Sequence, residues 1–456
     1  MSIQNTEEGN YMNKILNISK YNKIEYENGI FEGDFNYINV IGDIHGDFFT
    51  FKKCLESTGC IIFDNVIYSN YIKMKGDYLH VDDGCKYFIP DKIKWNPKKT
   101  NSLIIFAGDI IDRCRPAGLN FNYCVDTIMD ENCDYQMLNI IFKLDDEAKK
   151  YNSRVLLILG NHEILNLQHD FRYVSNKGNH DKKRIQNINK LFSKNIYRLF
   201  CIIRVNNYVI VHGGINPDYI KTLNFNNNQE IIIQYNKLIR DNLILKNAHY
   251  DLFNNNNNVF WDRSLGLEIN IDPSICNEIF KENILNVPPK YLYNLKIIVA
   301  HCIQSLLSIP AGINFTNCDK YKNSIIKIDV GMSRTFNDYN YKDNNLLLNK
   351  LDKFINLYDK NNELLDYNEF ILNSTFNNIQ ILQIIDNNEN IIKSETTINY
   401  FFNTVFSHNK ILGYYYLFQD LKKVLLNRKK IKFNIYTTDE TIYKIDFILD
   451  KIKTKN

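Results

Sequence analysis

Short apolar runs alternate along the chain with longer segments that carry helical periodicity. Five runs rich in Val and Ile have the pattern of buried strands. They are 37–41, 103–107, 155–159, 208–211 and 297–300. In segment 136–150 the apolar positions recur at helical spacing and the charged residues fall between them. This alternation predicts an α/β layered domain.

The end of the chain carries a different pattern. Segments 379–385 and 390–393 flank the polar residues 386–389, which predicts a hairpin. From residue 394 onwards we expect an appended α/β element, with a helix over 411–426, a basic stretch after it and two final strands. The predicted division is therefore an N-terminal arm (1–35), a main domain (36–393) and this appended element (394–456).

Composition narrows the class of protein. The chain has 456 residues, 45% of them hydrophobic, which is ordinary for a globular protein. A net charge of +3 gives no support to nucleic-acid binding. The polar N-terminus has no apolar stretch typical of a signal peptide, and no run is long enough to span a membrane. Composition gives no indication of an oligomeric state.

Cysteine usage points to a compartment. The ten cysteines are scattered and form no C-x-x-C pair. Because disulfide frameworks belong mainly to small secreted domains, we expect reduced thiols and a cytoplasmic protein.

Each apolar run ends in a polar cluster, and these clusters hold the candidate chemistry. In α/β proteins the loops that follow the strands converge on one crevice, where ligands bind. The clusters are Gly42-Asp43-Ile44-His45-Gly46, Gly108-Asp109-Ile110-Ile111-Asp112-Arg113, Gly160-Asn161-His162-Glu163, His212-Gly213-Gly214 and, after the fifth run, His301. A lone His or Gly-Asp at a strand end is usually structural. Four of the nine histidines lie in these five clusters, however, and that makes a joint coincidence improbable.

The residue types suit hydrolysis of a phosphate ester. Carboxylate, amide and imidazole groups bind Mn, Fe or Zn, and a carboxylate such as Asp109 can bridge two cations. A metal pair neutralises phosphoryl oxygens and makes a bridging water nucleophilic. A positioned imidazole can protonate the leaving group. Arginine offers a planar fork that matches phosphate oxygens.

The five motifs, in this order, resemble those of the calcineurin-like metallophosphoesterases, specifically the PPP-type Ser/Thr phosphatases. Three further stretches resemble the bacterial, Shewanella-like branch. These are the continuation of the third motif through Phe171-Arg172-Tyr173-Val174, then Trp261-Asp262-Arg263, and Ile328-Asp329-Val330-Gly331-Met332-Ser333. The resemblance covers about 36–393 and implies an α/β/β/α fold, a central β-sandwich flanked by helices.

The resemblance also implies a role for each matched residue. The ligands of two metal ions (Mn, Fe or Zn) would be Asp43, His45, Asp109, Asn161, His212 and His301, with Asp109 bridging the two and the bridging hydroxide acting as nucleophile. His162 would be the general acid, oriented by Asp112. Arg113 and Arg263 would bind the substrate phosphate. The residues on either side of the last ligand, Ala300 and Cys302, differ from the family pattern. His249, which is distant in sequence, is an alternative to His301 as a metal ligand.

Two departures from the family pattern stand out. Cys114 occupies the place of a glycine after Asp112-Arg113, and we expect a passive thiol there. Asp43 and Asp109 are 66 residues apart (109 − 43), more than the family spacing, so 64–93 is predicted to be an insertion with strands at 66–68 and 87–89. The insertion begins beside the first ligands. It could select substrates or be a surface elaboration.

Several substrates remain open at this point. The first hypothesis is a phosphatase of phosphoserine and phosphothreonine in proteins or peptides. Phosphotyrosine and dinucleoside polyphosphates are alternatives, since related enzymes share the core motifs. A pseudoenzyme that binds phosphoproteins is disfavoured because every matched position retains its chemistry.

Overall fold

The computed structural model describes residues 28–63, 72–75, 78–81, 93–114, 131–175, 178, 182–245, 250–267, 271–304, 313–333, 370–402, 430–436 and 442–448. The strands in these ranges are β1 (Ile30–Phe31), β2 (Tyr37–Ile41), β3 (Ile61–Phe63), β4 (Ile72–Lys75), β5 (Tyr78–Val81), β6 (Ile93–Trp95), β7 (Ser102–Phe106), β8 (Arg154–Ile158), β9 (Leu199–Phe200), β10 (Ile202–Val205), β11 (Tyr208–Val211), β12 (Lys296–Val299), β13 (Asn314–Cys318), β14 (Tyr321–Lys327), β15 (Phe370–Ile385), β16 (Asn388–Phe402), β17 (Lys430–Tyr436) and β18 (Ile442–Ile448).

The α-helices in these ranges are α1 (Phe48–Ser57), α2 (Asp134–Ala148), α3 (Asn161–Leu167), α4 (Lys182–Lys194), α5 (Pro217–Thr222), α6 (Ile231–Leu245), α7 (Tyr250–Asn254), α8 (Pro273–Cys276) and α9 (Pro289–Leu292). Short 3₁₀ turns span Lys149–Tyr151 and Ile196–Arg198, and a π-helical turn spans Asn277–Lys281. No helix of the described part of the chain is long and apolar enough to cross a bilayer.

Two mixed sheets form the centre of the fold. One has the strand order β1-β10-β11-β12-β14-β13, and the other has the order β18-β17-β15-β2-β7-β8-β9, with β16 paired to β15. Among the described residues, one hydrophobic core includes residues from both sheets and from the helices that flank them. The predicted α/β/β/α architecture is confirmed.

The five predicted strands are present with boundaries shifted by one residue at most, as β2, β7, β8, β11 and β12. All five residues of β7 are buried, which explains why the four residues after Ser102 are all apolar. Strands β2, β7 and β8 run parallel, as do β11, β12 and β14. The loops after these strands therefore emerge at the same edge of each sheet.

The predicted hairpin is present and tighter than expected. Strands β15 and β16 pair up to Ile385 and Asn388, so that Asp386 and Asn387 alone form the turn. Both turn residues have positive φ angles, 49° and 60°, which Asp and Asn tolerate better than most residues. Strand β15 also pairs with β2 and β17, so the hairpin belongs to the main sheet.

The predicted insertion begins and ends at a two-stranded ribbon, because β3 and β6 pair antiparallel. Within it β4 and β5 form a second hairpin. The strands predicted at 66–68 and 87–89 and the helix predicted at 411–426 lie outside the described residues, as does the N-terminal arm up to residue 27.

Candidate metal centre

The loops after β2 and β7 bring two acidic residues and one histidine together. Asp43 and His45 follow β2, and the His45 Nε2 atom lies 3.7 Å from Asp43 Oδ2. The same nitrogen lies 3.9 Å from Oδ2 of Asp109, which follows β7. The amides of Ile44 and His45 both donate to the Asp109 carbonyl, at 3.0 and 2.9 Å, so backbone contacts hold the two loops in place.

The sheet that contains β11 and β12 supplies two histidines. His212 follows β11, and its Nε2 lies 3.3 Å from Asp109 Oδ1 and 2.9 Å from Asn161 Oδ1. His301 follows β12, its ring centroid is 4.9 Å from that of His212, and its amide donates to Asp43 Oδ1 at 3.4 Å. All six predicted ligands therefore meet where the two sheets converge. His249 lies outside the described residues.

Two buried groups in this cluster have the donor set of a metal site. One is His45, Asp109 and His162, and the other is Asp109, His212 and His301. Within each group the candidate ligand atoms lie within 4.8 Å of one another. Because Asp109 belongs to both, the arrangement is consistent with a dinuclear site that shares one carboxylate. Imidazole and carboxylate donors suit Mn, Fe and Zn.

Electrostatics favour the cation-binding charge states of Asp109 and His301. Burial opposes protonation of His212, but the charge of Asp109 outweighs it and raises the pKa of His212. Burial opposes ionisation of Asp109, but the neighbouring charges of His212 and His162 outweigh it and hold the pKa of Asp109 well below its ordinary value. Burial, together with the charges of His212 and Arg263, holds the pKa of His301 well below its ordinary value. An ionised carboxylate and a neutral imidazole are the forms in which these groups ligate metals.

The backbone at these residues is unusual. His45, Asp109, Asp112 and His301 all have positive φ angles, between 48° and 72°. Residues other than glycine rarely adopt this region, and such conformations concentrate at functional sites.

Two glycines allow the loops to approach closely. A Cβ atom on Gly160 would lie 2.2 Å from Asp109 Oδ1, and one on Gly108 would lie 2.7 Å from both the Gly160 backbone and His212 Nδ1. No side chain fits at either position. The glycines of the second and third motifs are therefore required by packing around Asp109.

His162 is placed between Asp112 and the cluster. Its Nδ1 lies 3.0 Å from Asp112 Oδ2, and its Nε2 lies 3.7 Å from Asp109 Oδ2. A donor contact to Asp112 fixes the tautomer and directs Nε2 towards the shared carboxylate. The half-buried ring of Tyr173 packs on the His162 ring with centroids 4.7 Å apart.

The two predicted phosphate-binding arginines differ in exposure. Arg113 is buried, and its Nη1 donates to Ser333 Oγ at 3.1 Å and lies 4.0 Å from Asp47 Oδ2. Arg263 is exposed, and its Nη1 lies 3.8 Å from the sulfur of Cys302. Cys302 is adjacent to His301, so Arg263 lies at the rim of the cluster.

Several residues without a predicted role support this arrangement. The Glu163 carboxylate accepts from the amides of Gly160, Asp109 and Ile110 at 2.8–2.9 Å and so joins the second and third loops. Burial and the nearby charge of Asp109 raise the pKa of Glu163 to about 7. Asn166 donates to both oxygens of Asp112 at 2.8 Å. Its position four residues after His162, on the same helix face, was the available signal.

The expectation of reduced thiols was wrong for four cysteines. Cys276 and Cys318 form a disulfide that links α8 to β13, and Cys114 and Cys133 are also disulfide-bonded. Cys114 is therefore not the passive thiol that we expected. Cys276 and Cys318 are 42 residues apart and are brought together by the fold. Their spacing in the sequence therefore does not predict the bond. Disulfides persist mainly in oxidising compartments, so the cysteines no longer support a cytoplasmic location. That location stays a prediction.

Comparisons with known proteins agree with this architecture. Residues 37–274 match the family model described as calcineurin-like phosphoesterase. The chain is 30% identical over 334 residues to Shewanella-like protein phosphatase 1 of Plasmodium berghei, covering 70% of this chain and 72% of that protein. It is 24% identical over 139 residues to Shewanella-like protein phosphatase 2 of Arabidopsis thaliana, covering 30% of this chain and 24% of that protein.

Solved structures of a cold-active protein tyrosine phosphatase are also similar. One aligns with a TM-score of 0.48 and 17% identity, over 81% of this chain and 80% of that one. The family assignment rests on the matched family model and on the Plasmodium relative, together with the buried His and Asp cluster. The chain belongs to the calcineurin-like phosphoesterase family and is an enzyme related to the Shewanella-like protein phosphatases.

Proposed function

We propose that the chain is a dinuclear-metal-dependent phosphomonoester hydrolase that removes phosphate from phosphoserine and phosphothreonine in proteins. The observation that carries this proposal is that both buried groups contain Asp109. Within the first group we assign His162 to proton donation, because it is hydrogen-bonded to Asp112, and we assign Asp43, which lies 3.7 Å from His45, to the metal ion. This combination supplies both charge neutralisation and a proton donor.

The proposed ligand set divides at Asp109. Asp43 and His45 would hold one metal ion together with Asp109, and Asn161, His212 and His301 would hold the other. When bound, the two ions (Mn, Fe or Zn) would supply Lewis acidity and an activated water nucleophile. The His212 Nδ1 atom lies 2.8 Å from the carbonyl of Ala107, which fits a donor at Nδ1 and leaves Nε2 available as a ligand atom.

His162 acts in this proposal as the proton donor to the leaving alkoxide. Its Nδ1–H is held by Asp112, and in the imidazolium form that the proposal requires, Nε2 presents the second proton on the side of Asp109. A serine or threonine alkoxide is a poor leaving group, so these substrates depend most on a proton donor. The exposed Arg263 and the buried Arg113 would contact the phosphate oxygens.

Phosphoproteins are the proposed substrates because the Plasmodium relative and the Arabidopsis relative are named protein phosphatases. Arg263 is exposed, so a phosphate group on the surface of a protein can reach it. This exposure supports a macromolecular substrate.

Phosphotyrosine is a second candidate substrate, and Tyr173 favours it. The Tyr173 ring packs against the ring of the proposed proton donor, so an aryl leaving group would meet an aromatic face beside His162.

A substrate panel tests both candidates. Metal-supplemented protein would be given phosphoSer, phosphoThr and phosphoTyr peptides of one sequence, and dinucleoside polyphosphates. The proposal predicts the highest kcat/KM with phosphoSer or phosphoThr. Preference for phosphoTyr, abolished by Tyr173→Ala, would establish the second candidate. Turnover of the dinucleotides alone would overturn both.

A further inference from the structure

Asp112, the partner of His162, belongs to a group of buried polar residues. Its members come from three helices and one loop that are distant in sequence. They are Asp112, Asp134, Asn166 and Arg184. Each side chain is buried, and none of these exposures exceeds 6%.

Arg184, on α4, joins two carboxylates in this group. Its Nη2 donates to Asp112 Oδ1 at 3.3 Å and also to Asp134 Oδ2. The backbone amide of Asp112 donates to the same Asp134 oxygen at 3.3 Å. Two buried carboxylates this close repel each other unless a cation lies between them. Arg184 provides that positive charge.

Asn166 completes the link between Arg184 and Asp112. Its Oδ1 accepts from Arg184 Nη1 at 3.1 Å, and its Nδ2 donates to Asp112 at 2.8 Å. With its oxygen bound to the guanidinium, the amide can only present its NH₂ group to the carboxylate. Arg184 therefore orients Asp112 directly and also through Asn166.

We propose that Arg184 is a positioning residue that holds Asp112, and through it His162, in the orientation needed to protonate the leaving group. The inference rests on the proposed function, since it assigns His162 to proton donation. Arg184 contacts Asp112, Asp134 and Asn166, and in this proposal it acts on the substrate through His162.

Leaving-group dependence separates this role from a general structural role. p-Nitrophenyl phosphate releases a stabilised phenolate that needs little protonation, whereas phenyl phosphate needs much more. We expect Arg184→Gln to lower kcat for phenyl phosphate by about tenfold or more and kcat for p-nitrophenyl phosphate by much less. KM and bound metal should stay close to the wild-type values, and Arg184→Lys should recover part of the loss.

Two further variants make the test decisive. Arg198→Gln is the matched control, because Arg198 is also buried and also pairs with two carboxylates, Asp145 and Asp146. It should leave the ratio of the two kcat values unchanged. Asn166→Ala provides a second route if Arg184→Gln does not fold, and should show the same substrate-dependent loss.

A double variant tests whether the effect of Arg184 on catalysis depends on His162. In a His162→Asn background, Arg184→Gln should cause no additional loss with phenyl phosphate, since the donor that it positions is already absent. Equal losses with both esters, or an additive loss in the double variant, would overturn the inference alone. A folded, metal-supplemented wild type that hydrolyses neither ester would overturn the proposed function and the inference with it.

Discussion

At the scale of single residues, the cluster is built from positions that are unfavourable in isolation. Asp109 is buried, has a φ angle of 52° and sits against Gly160 with no room for a methyl group. The motifs predicted which side chains meet, because family motifs specify residue types at strand ends. The supporting contacts of Arg184 lay beyond prediction, since 72 residues separate it from Asp112 and no spacing links them.

Gly160→Ala tests the packing argument. The added methyl group would collide with Asp109, so we expect a stability loss of about 1–3 kcal/mol and loss of bound metal. Urea unfolding and metal analysis measure the two effects. Gly59→Ala is the control, because Gly59 has a φ angle of 66° but faces only the end of the Lys99 side chain at 3.7 Å. Gly59→Ala should cost stability without loss of metal; full metal occupancy in Gly160→Ala would contradict the argument.

At the scale of elements, hydrophobic patterning predicted the strands that carry the cluster, because each is short, apolar and flanked by polar residues. The pairing of these strands came from tertiary structure. Strand β15 joins the edge of β2 although their sequences are more than 300 residues apart, and no local signal predicts such a contact. The polar residues 386–389 predicted the position of the hairpin turn correctly. In the structure the turn is shorter, because the pairing of β15 with β16 continues to Ile385 and Asn388.

An ion pair at the edge of the other sheet gives a pH-dependent prediction. Glu32, next to β1, accepts from Arg204 at 2.7 Å and from Lys290 at 3.1 Å. Hydrogen bonding to Arg204, partly opposed by burial, lowers the pKa of Glu32 from 4.5 to about 2. A lowered folded-state pKa stabilises the fold above pH 4.5, and the contribution is lost as the pH falls towards 2. Because Glu32 is 37% exposed, solvent screening keeps the effect below about 1 kcal/mol.

Urea unfolding of Glu32→Gln at several pH values measures this effect. The variant should be less stable than the wild type at pH 7, and the difference should shrink below pH 4.5. Asp218→Asn, at a carboxylate that is 91% exposed, is the control and should show no such trend. A deficit of constant size between pH 7 and pH 3 would contradict the ion-pair account.

At the scale of the whole molecule, the two sheets share one core and their loops converge on one site. The sequence predicted this architecture because the strand and helix pattern is regular and the motif order is specific. The disulfides were missed because cysteine spacing carries no information about pairs that only the fold brings together. The Cys276–Cys318 bond joins α8 to strand β13 of the sheet that also contains β11 and β12.

Replacing both cysteines tests the role of that bond. Cys276→Ser with Cys318→Ser should lower the free energy of unfolding by about 2–4 kcal/mol, because the bond restricts the unfolded chain. Denaturant unfolding without reductant is the measurement, and activity should persist because neither residue belongs to the cluster. Cys54→Ser, at a buried free cysteine, is the control for loss of a buried sulfur. Equal stability of the double variant and the wild type would show that the bond contributes nothing.

Metal content and turnover of Asp109→Asn test the central claim most directly, since Asp109 is common to both buried groups. We predict about two metal ions per wild-type chain. In the variant we predict loss of metal and a fall in phosphopeptide turnover of at least about 100-fold, since even outer contacts of metal sites are worth 10–100-fold. Asp145→Asn, at a buried carboxylate paired with Arg154 and Arg198, controls for loss of a buried charge and should retain its metals. An Asp109→Asn protein with two metals and wild-type turnover would contradict the account.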